Sequence, residues 1–151
     1  RFYNEYVSTL NERKIPLDLT IVSIDINILK IINDSLGHDA GDQAIISTAN
    51  IITDVFGNIT ENIYRTGGDE FFIFFMDKHG DIENLQNKVF QKAKQTKIVD
   101  IDLSISVGYI KGRDYIEKNI YDLINIAENN MYKSKDEFYK TAKVKRRYEY
   151  E

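Results

Sequence analysis

The sequence predicts an α/β (α+β) chain, with a central, mostly antiparallel sheet flanked by helices. Three observations carry that prediction. Residues 17–24 and 102–110 are compact, β-branched runs of strand length. Residues 62–66 and 71–76 are two more strand-like runs, joined through Gly67 and Gly68 as a hairpin. Between these runs lie segments whose apolar residues recur at helical spacing.

In chain order, residues 1–13 place Phe2, Tyr6, Val7 and Leu10 at helical spacing, and Pro16 breaks the pattern. Residues 17–24 read as a central strand. A short helix over 28–33 and a turn at Gly37 follow. Asp39 or Gly41 opens a longer helix to about Val55, with Ala44, Ile45, Thr48, Ile51, Ile52 and Val55 on one face. After the hairpin come a helix over 82–94, the strand over 102–110 and a last helix from Asn119 to about Tyr139. Its inward face is Leu123, Ile126, Ala127, Asn130 and Met131. The basic run at 143–147 reads as a solvated tail end.

Composition narrows the function. At 151 residues the chain is most simply one domain spanning 1–151, large enough to bury a core. It opens on Arg1 rather than Met, which fits a piece excised from a longer protein. A net charge of −4 argues against a nucleic-acid binder built on phosphate contacts, so no nucleic-acid partner is expected. The absence of cysteine removes disulfides and thiolate metal sites. No apolar run approaches the ~20 residues that cross a bilayer, and no signal peptide is visible, so the expected location is cytoplasmic, with a parent protein that membrane tethering could still anchor.

The chemistry concentrates in Gly67-Gly68-Asp69-Glu70. Glycines between strands tighten a turn and let backbone approach a ligand, and acids at a sheet rim offer oxygen to a hard divalent cation. Taken alone, such a hairpin is most simply a solvated surface turn. Asp25, after the first strand, is most simply a cap for the next helix. Taken together, carboxylates from neighbouring strands are what Mg²⁺-assisted phosphoryl transfer requires. Spacing leaves the adjacency of those strands open.

Gly67-Gly68-Asp69-Glu70-Phe71 resembles the signature of the GGDEF domain, the diguanylate cyclase family. Residues 25–42 resemble the family's second signature, D-x-D-x-F-K-x-x-N-D-x-x-G-H-x-x-G-D, and match most of its diagnostic positions. Residues 103–108 and 127–135 resemble its last strand and last helix, so the likeness runs through about Tyr139. The resemblance implies a ferredoxin-like, nucleotidyl-cyclase palm fold. It also implies the condensation of two GTP into cyclic di-GMP with Mg²⁺ (or Mn²⁺) across a homodimer, downstream of a sensory domain.

Carried over by position, the resemblance implies that Asp25, the Ile26 carbonyl and Asp69 hold metal, with Glu70 supporting the metal and phosphate region. Asp69, with Glu70, is the implied catalytic residue, Asp69 as base for the attacking 3′-hydroxyl. Gly67 and Gly68 bring backbone to the nucleotide, Asn33 and Asp42 read guanine, and Lys135 meets the triphosphate. Lys30 and His38, inside the second signature, count with the substrate-binding residues. As local structure alone, Asn33 reads as a helix C-cap and Asp42 as an N-terminal cap, roles compatible with binding.

Four departures stand out. The family's opening D-x-L-T-G-L-x-N-R segment is missing. Asn27, Ile28 and Leu29 replace an acid and an aromatic pair, a mild change. Asn58 and Glu61 stand where many members carry R-x-x-D, so inhibition by product at that place is expected to be absent. Phe138-Tyr139-Lys140 replaces G-R-N, putting Tyr139 where a phosphate-gripping Arg is usual. That last change makes a weak or inactive GTP-binding regulatory module the alternative reading.

Overall fold

β1 (Leu19–Ile26) is buried along its whole length, because it runs through the middle of the sheet with helices over both faces. The computed structural model describes residues 2–142, so Arg1 and the basic run at 143–147 lie outside the described residues. The elements are α1 (Phe2–Asn11), β1, α2 (Leu29–Leu36), α3 (His38–Phe56), β2 (Ile63–Arg65), β3 (Glu70–Met76), α4 (Ile82–Lys94), β4 (Lys97–Ile98), β5 (Ile101–Asp102), β6 (Ile105–Lys111) and α5 (Ile120–Ala142). A 3₁₀ turn, Gly112–Asp114, follows β6.

The main sheet has the order β2-β3-β1-β6 with every pairing antiparallel, and β4-β5 forms a separate hairpin. This is the predicted antiparallel sheet flanked by helices, in ferredoxin-like order. Alternation along each strand sorts the core into two layers. Val22, Ile24, Ile26, Phe71, Ile73, Phe75, Ile105 and Val107 face α2, α3 and α4. Leu19, Ile21, Phe72, Phe74 and Ile110 face α1 and α5. Tyr3, Tyr6, Tyr64, Phe72 and Phe74 form an aromatic cluster beneath α1, with ring centroids 5.2–6.1 Å apart.

Several boundaries differ from the expected ones. The strand expected over 102–110 is two: β5 pairs only with β4, and Leu103-Ser104 turn the chain into β6. α2 runs to Leu36, which places Asn33 inside the helix rather than at its cap. α3 already starts at His38 after Gly37, at φ 93°, so Asp42 lies in its second turn and is no N-cap. In α5, Ile120 and Ile124 join the buried face, while Ile126 and Asn130 are only half-buried and Asn130 donates to the Tyr109 carbonyl at 3.1 Å. Asn119 caps α5 by accepting the Asp122 N–H at 2.9 Å.

Gly108 decides how close α5 comes to the sheet. A Cβ there would collide with the backbone of Asn130 and Met131. The bare strand lets α5 lie directly on β6, and that contact carries the next three turns of the helix over the end of β1.

Candidate active site

Three pieces of chain converge at that end of the sheet. β1 finishes with Asp25 and Ile26, the β2–β3 hairpin brings Asp69 and Glu70 alongside, and α5 contributes Lys135 and Tyr139. Strand register supplies the adjacency that spacing left open: Asp25 pairs with Glu70 on one side and Ser106 on the other.

Asp25 is buried. Its Oδ1 accepts the Ile26 N–H at 2.8 Å, and its Oδ2 lies 3.1 Å from the Lys135 ammonium. Lys135 Nζ also donates to the Ile26 carbonyl at 2.9 Å. Burial pushes the Asp25 carboxyl up to about 7; Lys135 pulls it down and neighbouring Asp69 adds to the rise. Glu70 faces α5, where Tyr132 Oη donates to its Oε1 at 3.2 Å. Burial, then the hydrogen bond and charge of Glu128, push its carboxyl up to about 7 as well. Burial and the adjoining acids raise the Tyr132 phenol too.

Asp25 thus adjoins both Asp69 and the Lys135 ammonium, while Glu70 adjoins Asp69 and Glu128. A divalent cation fits this donor set: Asp25 Oδ2 and the Ile26 carbonyl already converge on one cationic atom, and Asp69 adjoins them. Among the described residues no three acidic or imidazole side chains close on a common point. A divalent cation held there would take one or two carboxylates and a carbonyl from the protein and its other ligands from water and phosphate oxygen, as Mg²⁺ commonly does.

The hairpin is pinned from beneath. Thr66 N–H donates to the Glu70 carbonyl at 3.1 Å, and Arg65 places Nε and Nη2 on the Gly68 carbonyl at 3.0 and 2.7 Å. Neither Gly67 nor Gly68 adopts left-handed backbone. A Cβ on Gly68 would meet nothing within 4 Å, and one on Gly67 only Glu70 Oε2 at 3.8 Å. Nothing in the fold requires glycine there, and the surface above both is open.

The loop after β1 is held by two side chains. Ile28 sits in the left-handed region at φ 54°, a costly conformation for a β-branched residue. Its N–H donates to Tyr139 Oη at 2.8 Å. Tyr139 is buried, and its hydroxyl is spent on the loop. Asn27 donates to Ser104 Oγ at 2.9 Å and accepts from Ser106 Oγ at 2.8 Å, fastening β1 to β6.

Asn33, Gly41 and Asp42 meet where α2 packs on α3. The Asn33 carboxamide lies in the space a Cβ on Gly41 would fill, and exposed Asp42 follows immediately. His38 is exposed at the start of α3, and Lys30 pairs with Asp34 at 3.0 Å within α2. Sequence reasoning missed Arg65, Glu128 and Tyr132. A helical signal existed: Glu128, Tyr132, Lys135 and Tyr139 fall at i, i+4, i+7 and i+11 on one face of α5.

The family model "Diguanylate cyclase, GGDEF domain" matches residues 1–140. The signaling protein YkoW of Bacillus subtilis is 30% identical over 137 residues, which cover 83% of this chain and 16% of that protein. Diguanylate cyclase DgcN of Escherichia coli is 28% identical over 123 residues, 76% of this chain and 29% of that protein. The chain thus spans less than a third of either relative's length. Among solved structures, diguanylate cyclase SiaD of Pseudomonas aeruginosa, crystallised with its activator SiaC, superposes with a TM-score of 0.72 at 21% identity, over 88% of this chain and 53% of that one. The active GGEEF domain of a Vibrio cholerae diguanylate cyclase gives 0.64 at 24% identity, over 91% and 85%. These likenesses establish the fold. With the family match over 140 residues, they lead to one conclusion: the chain belongs to the GGDEF domain family of diguanylate cyclases.

Proposed function

We propose that the chain is a diguanylate cyclase module that condenses two GTP into cyclic di-GMP with release of two pyrophosphates. The observation carrying this reading is the convergence of Asp25, the Ile26 carbonyl, Asp69 and Lys135 beside the bare Gly67-Gly68 hairpin. Each GTP 3′-hydroxyl attacks the α-phosphorus of the other GTP. A new P–O bond forms, the bond to pyrophosphate breaks, and the hydroxyl proton passes to a base, the role assigned to Asp69. Each subunit of a homodimer holds one GTP, so neither completes the product alone.

Asp25, the Ile26 carbonyl and Asp69, supported by Glu70, are the proposed ligands of Mg²⁺ or Mn²⁺. The metal, when bound, neutralises charge on the phosphates during transfer. Gly67 and Gly68 let the nucleotide lie against backbone, and Lys135 takes the triphosphate. Asn33 and Asp42 read guanine: a carboxylate accepts from N1–H and the exocyclic amine, donors that adenine does not present there. Lys30 and His38 flank this region. An upstream sensory domain controls pairing of the subunits.

The test is incubation of an enforced dimer with GTP and Mg²⁺, followed by chromatography for cyclic di-GMP. Product is expected, and Asp69→Ala is expected to abolish it. A second reading, a GTP-binding regulatory module, is favoured by one observation: Tyr139 Oη is committed to Ile28 and leaves no guanidinium for the phosphates. Tight GTP binding by the enforced dimer without turnover would select that reading.

A further inference from the structure

We propose that Lys135 is the resident counter-ion of the metal locus, which a divalent cation must displace, and that the displaced ammonium is then offered to the triphosphate. The inference rests on the proposed nucleotide site and deepens it by making its two ligands interdependent.

Lys135 Nζ sits 2.9 Å from the Ile26 carbonyl and 3.1 Å from Asp25 Oδ2, with side chains only 12% and 9% exposed. Those are two of the oxygens proposed for the metal. An ammonium about 3 Å from them and a divalent cation at about 2.1 Å cannot share the position, and the two positive charges repel at such range. Entry of the metal therefore requires the ammonium to leave. The lysine stem is flexible enough to swing. Tyr139, one turn further along α5, stays on the Ile28 amide, so the loop keeps its shape when Lys135 departs.

The consequence is thermodynamic linkage. Without nucleotide, a metal must strip Lys135 of its partners. With nucleotide present, the released ammonium gains phosphate oxygens. Metal and nucleotide each bind more tightly in the presence of the other, by the same factor.

The test is titration of the folded protein with Mn²⁺ in the absence of nucleotide, reading free Mn²⁺ by electron paramagnetic resonance. Lys135→Met is expected to bind Mn²⁺ roughly tenfold more tightly than the unmodified protein, because the competing charge is gone. Lys133→Met, which removes an exposed charge from the same helix, is expected to change affinity by less than about twofold under surface screening. In a fluorescence titration with a non-hydrolysable GTP analogue and Mn²⁺, Lys135→Met is expected to bind nucleotide more weakly. Mn²⁺ affinity equal to or below that of the unmodified protein overturns the proposal. If circular dichroism shows Lys135→Met unfolded, Lys135→Gln, which keeps a donor for the Ile26 carbonyl, enters the same titration with the same expectation. Failure of the cyclase reading shows separately, as absent cyclic di-GMP from the enforced dimer, because the Mn²⁺ titration requires no turnover. Absence of Mn²⁺ binding in every variant, with and without nucleotide, removes the metal locus and the proposal with it.

Discussion

The Tyr139 hydroxyl accepts the Ile28 N–H at 2.8 Å, and Ile28 carries left-handed backbone that its branched side chain disfavours. Replacing Tyr139 by Phe keeps the ring and deletes the acceptor, leaving a half-buried amide without that bond. The expected loss is about 1–2 kcal/mol, read as a lower urea midpoint. Nucleotide binding should weaken as well, because the loop between Ile26 and Lys30 loses the contact that fixes its path. An unchanged midpoint together with unchanged GTP affinity would show that the hydroxyl positions nothing. At this scale the sequence was partly legible. The acids and glycines stood out by chemical type, whereas Lys135 stood out only by its place in the family resemblance. The work of Tyr139, Asn27 and Arg65 was hidden, because it depends on partners such as Ile28, Ser104 and the Gly68 carbonyl that only the folded chain brings within reach.

At the scale of elements, the position of α5 rests on Gly108. Ala at that place drives a methyl into the backbone of Asn130 and Met131, which cannot rotate away as a side chain would. Gly108→Ala is expected to cost about 1–3 kcal/mol by overpacking. It should also weaken GTP binding, since Lys135 and Tyr139 ride on the displaced helix. Thermal melts and a GTP titration measure the two effects. Wild-type stability would mean that α5 does not lie where the close contact places it. The central strands were legible because an apolar run buried on both faces has few alternatives. The break between β5 and β6 was not, since residues 102–110 alternate without a turn signal. Its location is fixed across the sheet, where Asn27 grips Ser104 and Ser106. The start of α3 was misjudged because Gly37 both ends α2 and precedes the next helix.

For the whole molecule, the gathered acids set how stability depends on pH. Folding raises Asp25 from 3.8 and Glu70 from 4.5, each to about 7. Burial is the chief cause at both; Lys135 opposes the rise at Asp25 and Asp69 adds to it, while Glu128 and Asp69 add to the rise at Glu70 and Tyr132 opposes it. Over that interval the native protein holds protons that the unfolded chain has released. Stability must therefore fall as pH rises from about 4 to about 7, and level off above. Melting in chelator should show a lower midpoint at about pH 8 than at about pH 5, with Mn²⁺ recovering part of the loss at the higher pH. A midpoint that climbs over this range in chelator contradicts the raised carboxyls.

The bonds that tie Lys135 to Ile26 and Tyr139 to Ile28 span 109 and 111 residues. A ribosome delivers β1 early and the end of α5 among the last of the described residues. The sheet and its α3–α4 layer are therefore available to assemble while the proposed nucleotide site still lacks one wall. Both ties wait for α5, and translation that stops short of residue 135 leaves the proposed site without either.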